Sequence, residues 1–460
     1  MPLFVSSKGR YLWRDIGYTI QFDSGTISCP DDVELASGFG TLRGAYLDAM
    51  KRHFPFEQIQ LSKSLFDKPI FNSWIELTFY QNEQDLLKYA QGIVANGFEP
   101  GVLMIDDGWS QYYGHWKFHS GKFHSPREMM DQLHAMGFSV MVWVCPFVTP
   151  DTIAYREARD LDILIKTPEG KPYICEWWNG YSAVLDFSNP AAVEWFDQQM
   201  QELQEVGVDG FKFDAGDSYF YRVDNQTFGN VTPDEQSRLW ARYGTKYAFN
   251  EYRVTYRAGG YSLMQRLCDK KHSWGDHGIA ALIPDTLLQG ITGHPFCCPD
   301  MVGGGEYLNF QEANHSGLDE ELFYRHSEIA CLMPAIQFSA APWRVLSADS
   351  LKIIHEHLAL RSRLSAKRER SYDQAVTDGE PMVRYMEYQF PGEGMEMEID
   401  QFMLGDTLLV APIYIKGATD REVVLPQGRW RFEGEILTGG QKLRLTPSSA
   451  GPLILELEEE

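Results

Sequence analysis

The chain holds 460 residues, 44% of them hydrophobic and 13% aromatic, with a formal net charge of −23. That length buries a large core and accommodates two or three domains, and so acidic a chain excludes nucleic acid and anionic membranes as partners because both repel it. Seven cysteines without framework spacing point to reduced thiols; no leader or ~18-residue apolar run is visible, so a cytoplasmic, non-membrane protein is expected.

Residues 1–68 read as a short β-rich segment. Tyr11-Leu12-Trp13, Tyr18-Thr19-Ile20-Gln21-Phe22 and Val33-Glu34-Leu35-Ala36 are strand-like runs between Gly, Ser and Pro-Asp turns. Gly38-Phe39-Gly40-Thr41-Leu42-Arg43-Gly44 lacks the spacing of a dinucleotide fingerprint and reads as a turn into a helix from Leu42 to Arg52.

From residue 69 to 366 strands and helices alternate. Strands are expected at Phe71 to Phe79, Gly101 to Asp106, Ser139 to Val144, Gly207 to Asp214, Arg253 to Arg257 and Ala335 to Ser339. Helices fall at Glu83 to Asn96, Ser125 to Met136 and Pro190 to Val206, the last bounded by Asn189-Pro190 and Gly207. This alternation predicts a (β/α)8 TIM barrel, with an insertion at about 218–250; an open doubly wound sheet is the alternative. Residues 367–460 change to short runs separated by Gly-rich turns: Tyr385 to Phe390, Thr407 to Pro412, Glu422 to Pro426 and Leu453 to Leu457. They predict a C-terminal antiparallel β-sandwich.

Chemistry concentrates at strand ends. In Asp209-Gly210-Phe211-Lys212-Phe213-Asp214-Ala215-Gly216-Asp217 a buried strand ends in a carboxylate and breaks at once into a turn. Lys212 shares the face of Asp214, because side chains alternate with period two, and a neighbouring cation keeps a carboxylate ionised, as a nucleophile requires. A helix-capping Asp is the plainer alternative. Trp274-Gly275-Asp276 places a second carboxylate beside a large apolar ring, surroundings that raise a carboxyl pKa and suit a general acid. Asp106 and Asp107, after the apolar run Gly101 to Ile105, read as caps, metal ligands or acceptors for sugar hydroxyls.

Taken together these motifs resemble glycoside hydrolase family 31, retaining α-glycosidases built on a (β/α)8 barrel. Besides Lys212-Phe213-Asp214 and Trp274-Gly275-Asp276, the likeness is carried by Ser6 to Trp13, Leu103 to Trp109, Val142 to Phe147, Pro299-Asp300-Met301-Val302-Gly303-Gly304 and Gln401 to Pro412. The resemblance implies an exo-acting double displacement, with Asp214 as nucleophile and Asp276 as acid/base, their carboxyl groups about 5–5.5 Å apart. It implies that Arg257, Lys212, Asp106, Asp107 and Asp300 bind substrate, with Trp74, Trp109 and Trp143 lining the pocket. No cofactor and no metal are implied, and the partner is an oligosaccharide or other α-glycoside.

Two departures bear on specificity. Pro299 stands where many members carry a substrate-binding His, and Phe211 to Gly216 resembles the family's α-galactosidase-type branch more than its α-glucosidase form. α-Galactosides are therefore expected first and α-glucosides second; a transglycosylase or a catalytically silent sugar-binding barrel are the rivals. His115, His119 and His124 have metal-like spacing, but intervening Gly and Ser break any helix that would align them. His294-Pro295-Phe296-Cys297-Cys298 reads as buried thiols.

Overall fold

The computed structural model describes residues 2–58, 61–311 and 318–458. Eight strands lie side by side, all pairs parallel: β1 Ile70–Asn72, β2 Val102–Ile105, β3 Ser139–Val144, β4 Gly210–Phe213, β5 Phe249–Tyr252, β6 Gln265–Arg266, β7 Cys297–Cys298 and β8 Gln337–Phe338. Their spatial order follows the chain, β7-β6-β5-β4-β3-β2-β1-β8. A parallel bridge from Met301, just past β7, to Gln337 in β8 joins the two ends. The sheet is thus a (β/α)8 barrel, not the open doubly wound alternative.

Side-chain alternation sorts each strand into two faces. Leu103, Ile105, Val140, Val142, Phe211 and Phe213 join Leu86, Ile93, Met130, Leu133, Phe196 and Leu203 from the surrounding helices in the largest core. Ile70, Val102, Met104, Met141, Met264, Phe296 and Cys298 form a second apolar cluster, which fills the barrel. Gly210 sits in register with Met141 and Phe249. A Cβ there would strike the Phe249 carbonyl oxygen, so only glycine lets these strands approach. Toward the strands' C-terminal ends the filling turns polar: Asn72, Asp106, Lys212, Glu251, Arg266 and Gln337 are all buried.

Helices Glu83–Ala95, Pro126–Ala135 and Pro190–Val206 lie where periodicity places them. Asn82 and Asn189 cap the first and last, and left-handed Gly207 ends the last. Three strand expectations need correction. The strand expected over Phe71 to Phe79 stops at Asn72, whose side-chain oxygen accepts from Trp74 N at 2.7 Å and turns the chain into the helix Trp74–Leu77. The strand expected at Arg253 to Arg257 lies at Phe249–Tyr252 instead. Its partner β4 runs out at Phe213, opposite Tyr252, and an unpaired extension has no ladder to join. The run Tyr385 to Phe390 contains the helix Met386–Gln389, a short apolar run that periodicity alone cannot assign. Within 218–250 the helix Pro233–Tyr243 is the barrel's own link from β4 to β5.

At the N-terminus, Leu3–Ser6, Arg10–Trp13 and Glu34–Ser37 make a small antiparallel sheet. It packs on the helix Leu42–His53, which is capped by Thr41. At the C-terminus a six-stranded sheet and the pair Arg421–Leu425 and Gln441–Leu445 bury Leu409, Val423, Leu425, Trp430 and Leu455 between them. Among the described residues no helix is long and apolar enough to cross a membrane.

Candidate active site

Four strand ends deliver charged side chains to one place. Asp106 follows β2, Asp214 follows β4, Arg253 follows β5, and Arg266 ends β6 with Asp269 three residues on. At the floor, Lys212 Nζ donates to Asp106 Oδ2 at 2.7 Å, with both side chains 5% exposed. The same oxygen accepts from the Asn72 amide at 2.7 Å. Burial opposes the charge on Lys212, but Asp106, Asp214 and Glu251 together outweigh it and hold the ammonium above its usual range. Beside this pair, Glu251 lies 3.3 Å from Arg266 Nε and accepts from Gln337 at 2.6 Å. A buried carboxylate with such partners is costly to leave unpaired.

Asp214 stands one layer higher. Its Oδ2 accepts from Trp143 Nε1 at 2.8 Å, and its Oδ1 from the Ala215 backbone N at 2.9 Å, with Arg253 Nε 3.8 Å away. Burial pushes this carboxyl up, yet Lys212, Arg253, Arg266 and the Trp143 hydrogen bond together hold it below the ordinary carboxylate range. An ionised, hydrogen-bonded carboxylate at a strand tip can act as a nucleophile. Ala215 follows at φ 55, a strained left-handed geometry for a residue with a Cβ.

Arg253 organises the rim. Its Nη2 donates to Asp217 at 3.1 Å, and its guanidinium lies 5.0 Å from the centre of the Trp178 ring. Arg266 Nη1 bonds Asp269 Oδ1 at 2.7 Å and Asp300 Oδ1 at 2.9 Å. Exposure rises from Lys212 at 5% through Arg253 at 23% to Asp269 at 54%, so the cluster opens to solvent at its top.

The sequence-predicted residues divide accordingly. Lys212, Asp106, Asp214 and Trp143 come together, although Lys212 bonds Asp106 and reaches Asp214 only through its charge, and Trp143 is a buried hydrogen-bond donor to Asp214. Asp107 faces the other way, accepting from Tyr113 OH at 3.1 Å and the Asn179 amide at 2.7 Å. Burial, then the charge of Asp106, pushes its carboxyl up to about 7. Trp109 is fully buried and packs on Trp116 and Phe118, its Nε1 spent on the Trp143 carbonyl, so it is core rather than pocket wall. Trp74 packs edge-on against Phe79 and Tyr307. Asp300 is fully buried and reaches nothing outside: it anchors Arg266 and accepts from the Lys270 backbone N at 2.7 Å. Arg257 turns away to Asp15 and Glu235 because the strand ends five residues earlier than expected; Arg253 holds the place it was assigned.

Asp276 also stays apart. Its turn is closed by Lys271 N to His277 O at 2.8 Å, and Trp274 Nε1 donates to Asp319, which pairs with Lys416 of the C-terminal region. Asp276 itself is exposed, and neither a hydrogen bond nor an ion pair links it to the described residues. Sequence reading missed Arg253, Asp217, Asp269, Trp178 and Asn179. Arg253 was legible only with the correct strand end, and Asp269 carries no motif of its own. Among the histidines, His119 Nδ1 accepts from the Gly121 backbone and His115 packs on Tyr112.

Comparison with known proteins agrees with this architecture. Residues 65–365 match the TIM-barrel domain of glycosyl hydrolases family 31, and residues 379–455 match that family's C-terminal domain. The chain is 35% identical over 400 residues to the mouse (Mus musculus) myogenesis-regulating glycosidase, covering 84% of this chain and 55% of that protein. It is 24% identical over 396 residues to alpha-glucosidase 2 of Bacillus thermoamyloliquefaciens, covering 79% of this chain and 49% of that protein. The chain thus spans about half the length of these curated relatives. A Flavobacterium johnsoniae GH31 dextranase complexed with glucose superposes with a TM-score of 0.85 at 19% identity, over 99% of this chain and 60% of that one. By its barrel and its C-terminal domain, the chain belongs to glycosyl hydrolase family 31.

Proposed function

We propose that the protein is a retaining, exo-acting α-glycosidase in which Asp214 attacks the anomeric carbon. The observation that carries this reading is the environment of Asp214: an ionised carboxylate held by Trp143 and Ala215 and flanked by Arg253 at the end of the barrel. Attack forms a covalent β-glycosyl ester, and a second carboxylate must protonate the departing oxygen and then deprotonate water. Asp106, backed by Lys212 and Asn72, is placed to accept sugar hydroxyls, and Arg253 to donate to them.

The glycone is neutral. Asp106, Asp214, Asp217, Glu251 and Asp269 outnumber Lys212, Arg253 and Arg266, and each of these cations already faces a carboxylate. A uronic or sulfonated sugar would meet net repulsion. Among neutral sugars, α-galactosides come first and α-glucosides second, on the likeness of Phe211 to Gly216 to the galactosidase-type branch. All seven cysteines are free and five are buried, which fits a reducing compartment such as the cytoplasm.

A panel of aryl α-glycosides differing at C4 and C6 tests the glycone. Turnover of any member excludes the silent-barrel reading, and a preference for the gluco over the galacto configuration would reverse that order. A fluorinated glycosyl donor should trap the intermediate. Peptide mapping should find the label on Asp214, and Asp214→Ala should abolish turnover without unfolding the chain. A label elsewhere would sink the assignment.

A further inference from the structure

The glycosidase reading needs a second carboxylate, and the loop after β6 offers two. They are held very differently. Asp269 sits three residues beyond the strand, its Oδ1 bonded at 2.7 Å to Arg266. Arg266 is itself fixed by Asp300 at 2.9 Å and Glu251 at 3.3 Å. Asp269 Oδ2 accepts no hydrogen bond from the described residues, and the side chain is 54% exposed. One oxygen is anchored and the other is free.

The backbone around Asp269 is clamped as well. Lys270 N donates to Asp300 Oδ2 at 2.7 Å, Gly305 N donates to Lys270 O at 3.0 Å, and Lys270 Nζ reaches Asp285 at 2.6 Å. Gly304, at φ 97, lies so close that a Cβ would come within 2.5 Å of the Lys270 carbonyl oxygen. Gly304 and Gly305 thus let the loop bearing Asp269 seat against the segment after β7. Asp214, Arg253 and Asp269 follow the ends of three adjacent strands, β4, β5 and β6. Arg253 feels the charges of both Asp214 and Asp269. Among the described residues Asp276 has neither anchor nor link to this cluster.

We infer that Asp269, not Asp276, is the carboxylate that exchanges a proton with the leaving group opposite Asp214. This rests on the glycosidase reading of the same site. As an Asp214 oxygen bonds to the anomeric carbon, the bond to the departing oxygen breaks. Its electron pair stays on that oxygen, and Asp269 supplies the proton that makes it an alcohol. In the second half Asp269 takes a proton from water as the water oxygen bonds to the anomeric carbon, and the ester electrons return to Asp214. Burial around Asp269 opposes its charge, but Arg266, Lys212 and Arg253 hold the carboxyl low in the free protein, the form that the second half requires. The first half starts from the minor protonated form of Asp269, toward which the Asp214 charge acts against these cations, and ester formation removes that charge.

The test uses the full chain, with Asp269→Ala, the isosteric Asp269→Asn and Asp276→Ala. On a galactosyl or glucosyl disaccharide, whose leaving group needs a proton, both Asp269 variants should lose ~10²–10⁴-fold in kcat/KM. On a dinitrophenyl α-glycoside the loss should be far smaller, with added azide speeding turnover and giving an α-glycosyl azide. Asp276→Ala should keep the parent's dependence on leaving group. The inference is overturned if Asp276→Ala gives the azide-rescued pattern, or if the Asp269 variants lose equally on both substrates without rescue. Should Asp269→Ala not fold, Asp269→Asn carries the same test. Failure of the parent enzyme to turn over any aryl α-glycoside would instead bring down the glycosidase reading, and the inference with it.

Discussion

Trp143 illustrates how much a single side chain can decide. Its indole N–H is a donor to the Asp214 carboxylate, buried where water cannot substitute. A hydrogen bond to a charged group is worth about 1.5–3 kcal/mol, so Trp143→Phe should lower kcat/KM by roughly 10- to 150-fold. The sign for pH follows: without the donor the Asp214 pKa rises, so the acidic limb of the kcat/KM profile should move to higher pH. An unmoved limb would show that Trp143 only fills space. Asp107 makes the opposite case for stability. Its folded carboxyl is raised to about 7 from an ordinary 3.8, so the folded state binds a proton that the unfolded chain has released. Its contribution is therefore present at low pH and lost as pH climbs from about 4 through 7, with a slope of up to about 1.4 kcal/mol per pH unit. Asp107→Asn removes that loss. The melting temperature of the variant relative to the parent should rise from pH 5 to pH 8, and a constant difference would contradict the shift.

At the scale of elements, the end of a strand settles which arginine stands beside Asp214. β5 stops at Tyr252 because β4 stops opposite it at Phe213. Arg253 is thereby set at the tip beside Asp214, while Arg257, at φ 53, pairs with Asp15 and Glu235. Arg253→Ala should cost at least ~10-fold in kcat/KM, the scale of one charged hydrogen bond, whereas Arg257→Ala should leave catalysis within a few-fold and act on stability. The reverse ranking would mean that the loop rearranges on binding substrate. The helix Pro190–Val206 was fully legible, since Asn189, Pro190 and Gly207 mark both of its ends locally. The two-residue strands β6 and β7 were not, because their pairing comes from neighbours remote in sequence.

Across the whole molecule the barrel and the C-terminal sheet share a core. Phe402, Leu404, Leu408 and Val410 belong to the same apolar cluster as the barrel helices. Buried Glu328, bonded to Arg325 at 2.6 Å, accepts from the Ile413 backbone N at 2.8 Å. Fully buried Arg384 pairs with Asp406 at 2.5 Å. Asp406 is thus a partner inside the C-terminal region. Removing residues 379–460 would strip apolar surface and leave Glu328 without its backbone partner, so the truncated barrel should express as aggregate. The intact chain should melt in one calorimetric transition; two resolved transitions would show that the units fold separately.

The sequence by itself determined what is local or periodic. The strand-helix alternation, the capped helices, the strand leading to Asp214 and the family likeness all follow from neighbours within a few residues, where alternation and capping act. Only the tertiary structure decided which charges meet. Lys212 finds Asp106 across 106 positions and Trp143 finds Asp214 across 71. Asp269 enters the cluster although no motif marks it, while Asp276, in a motif that matches well, faces solvent. A motif specifies residue types in order; closing the barrel specifies direction, and at a buried charged site direction decides which carboxylate is paired, which is free and which is merely nearby in the chain.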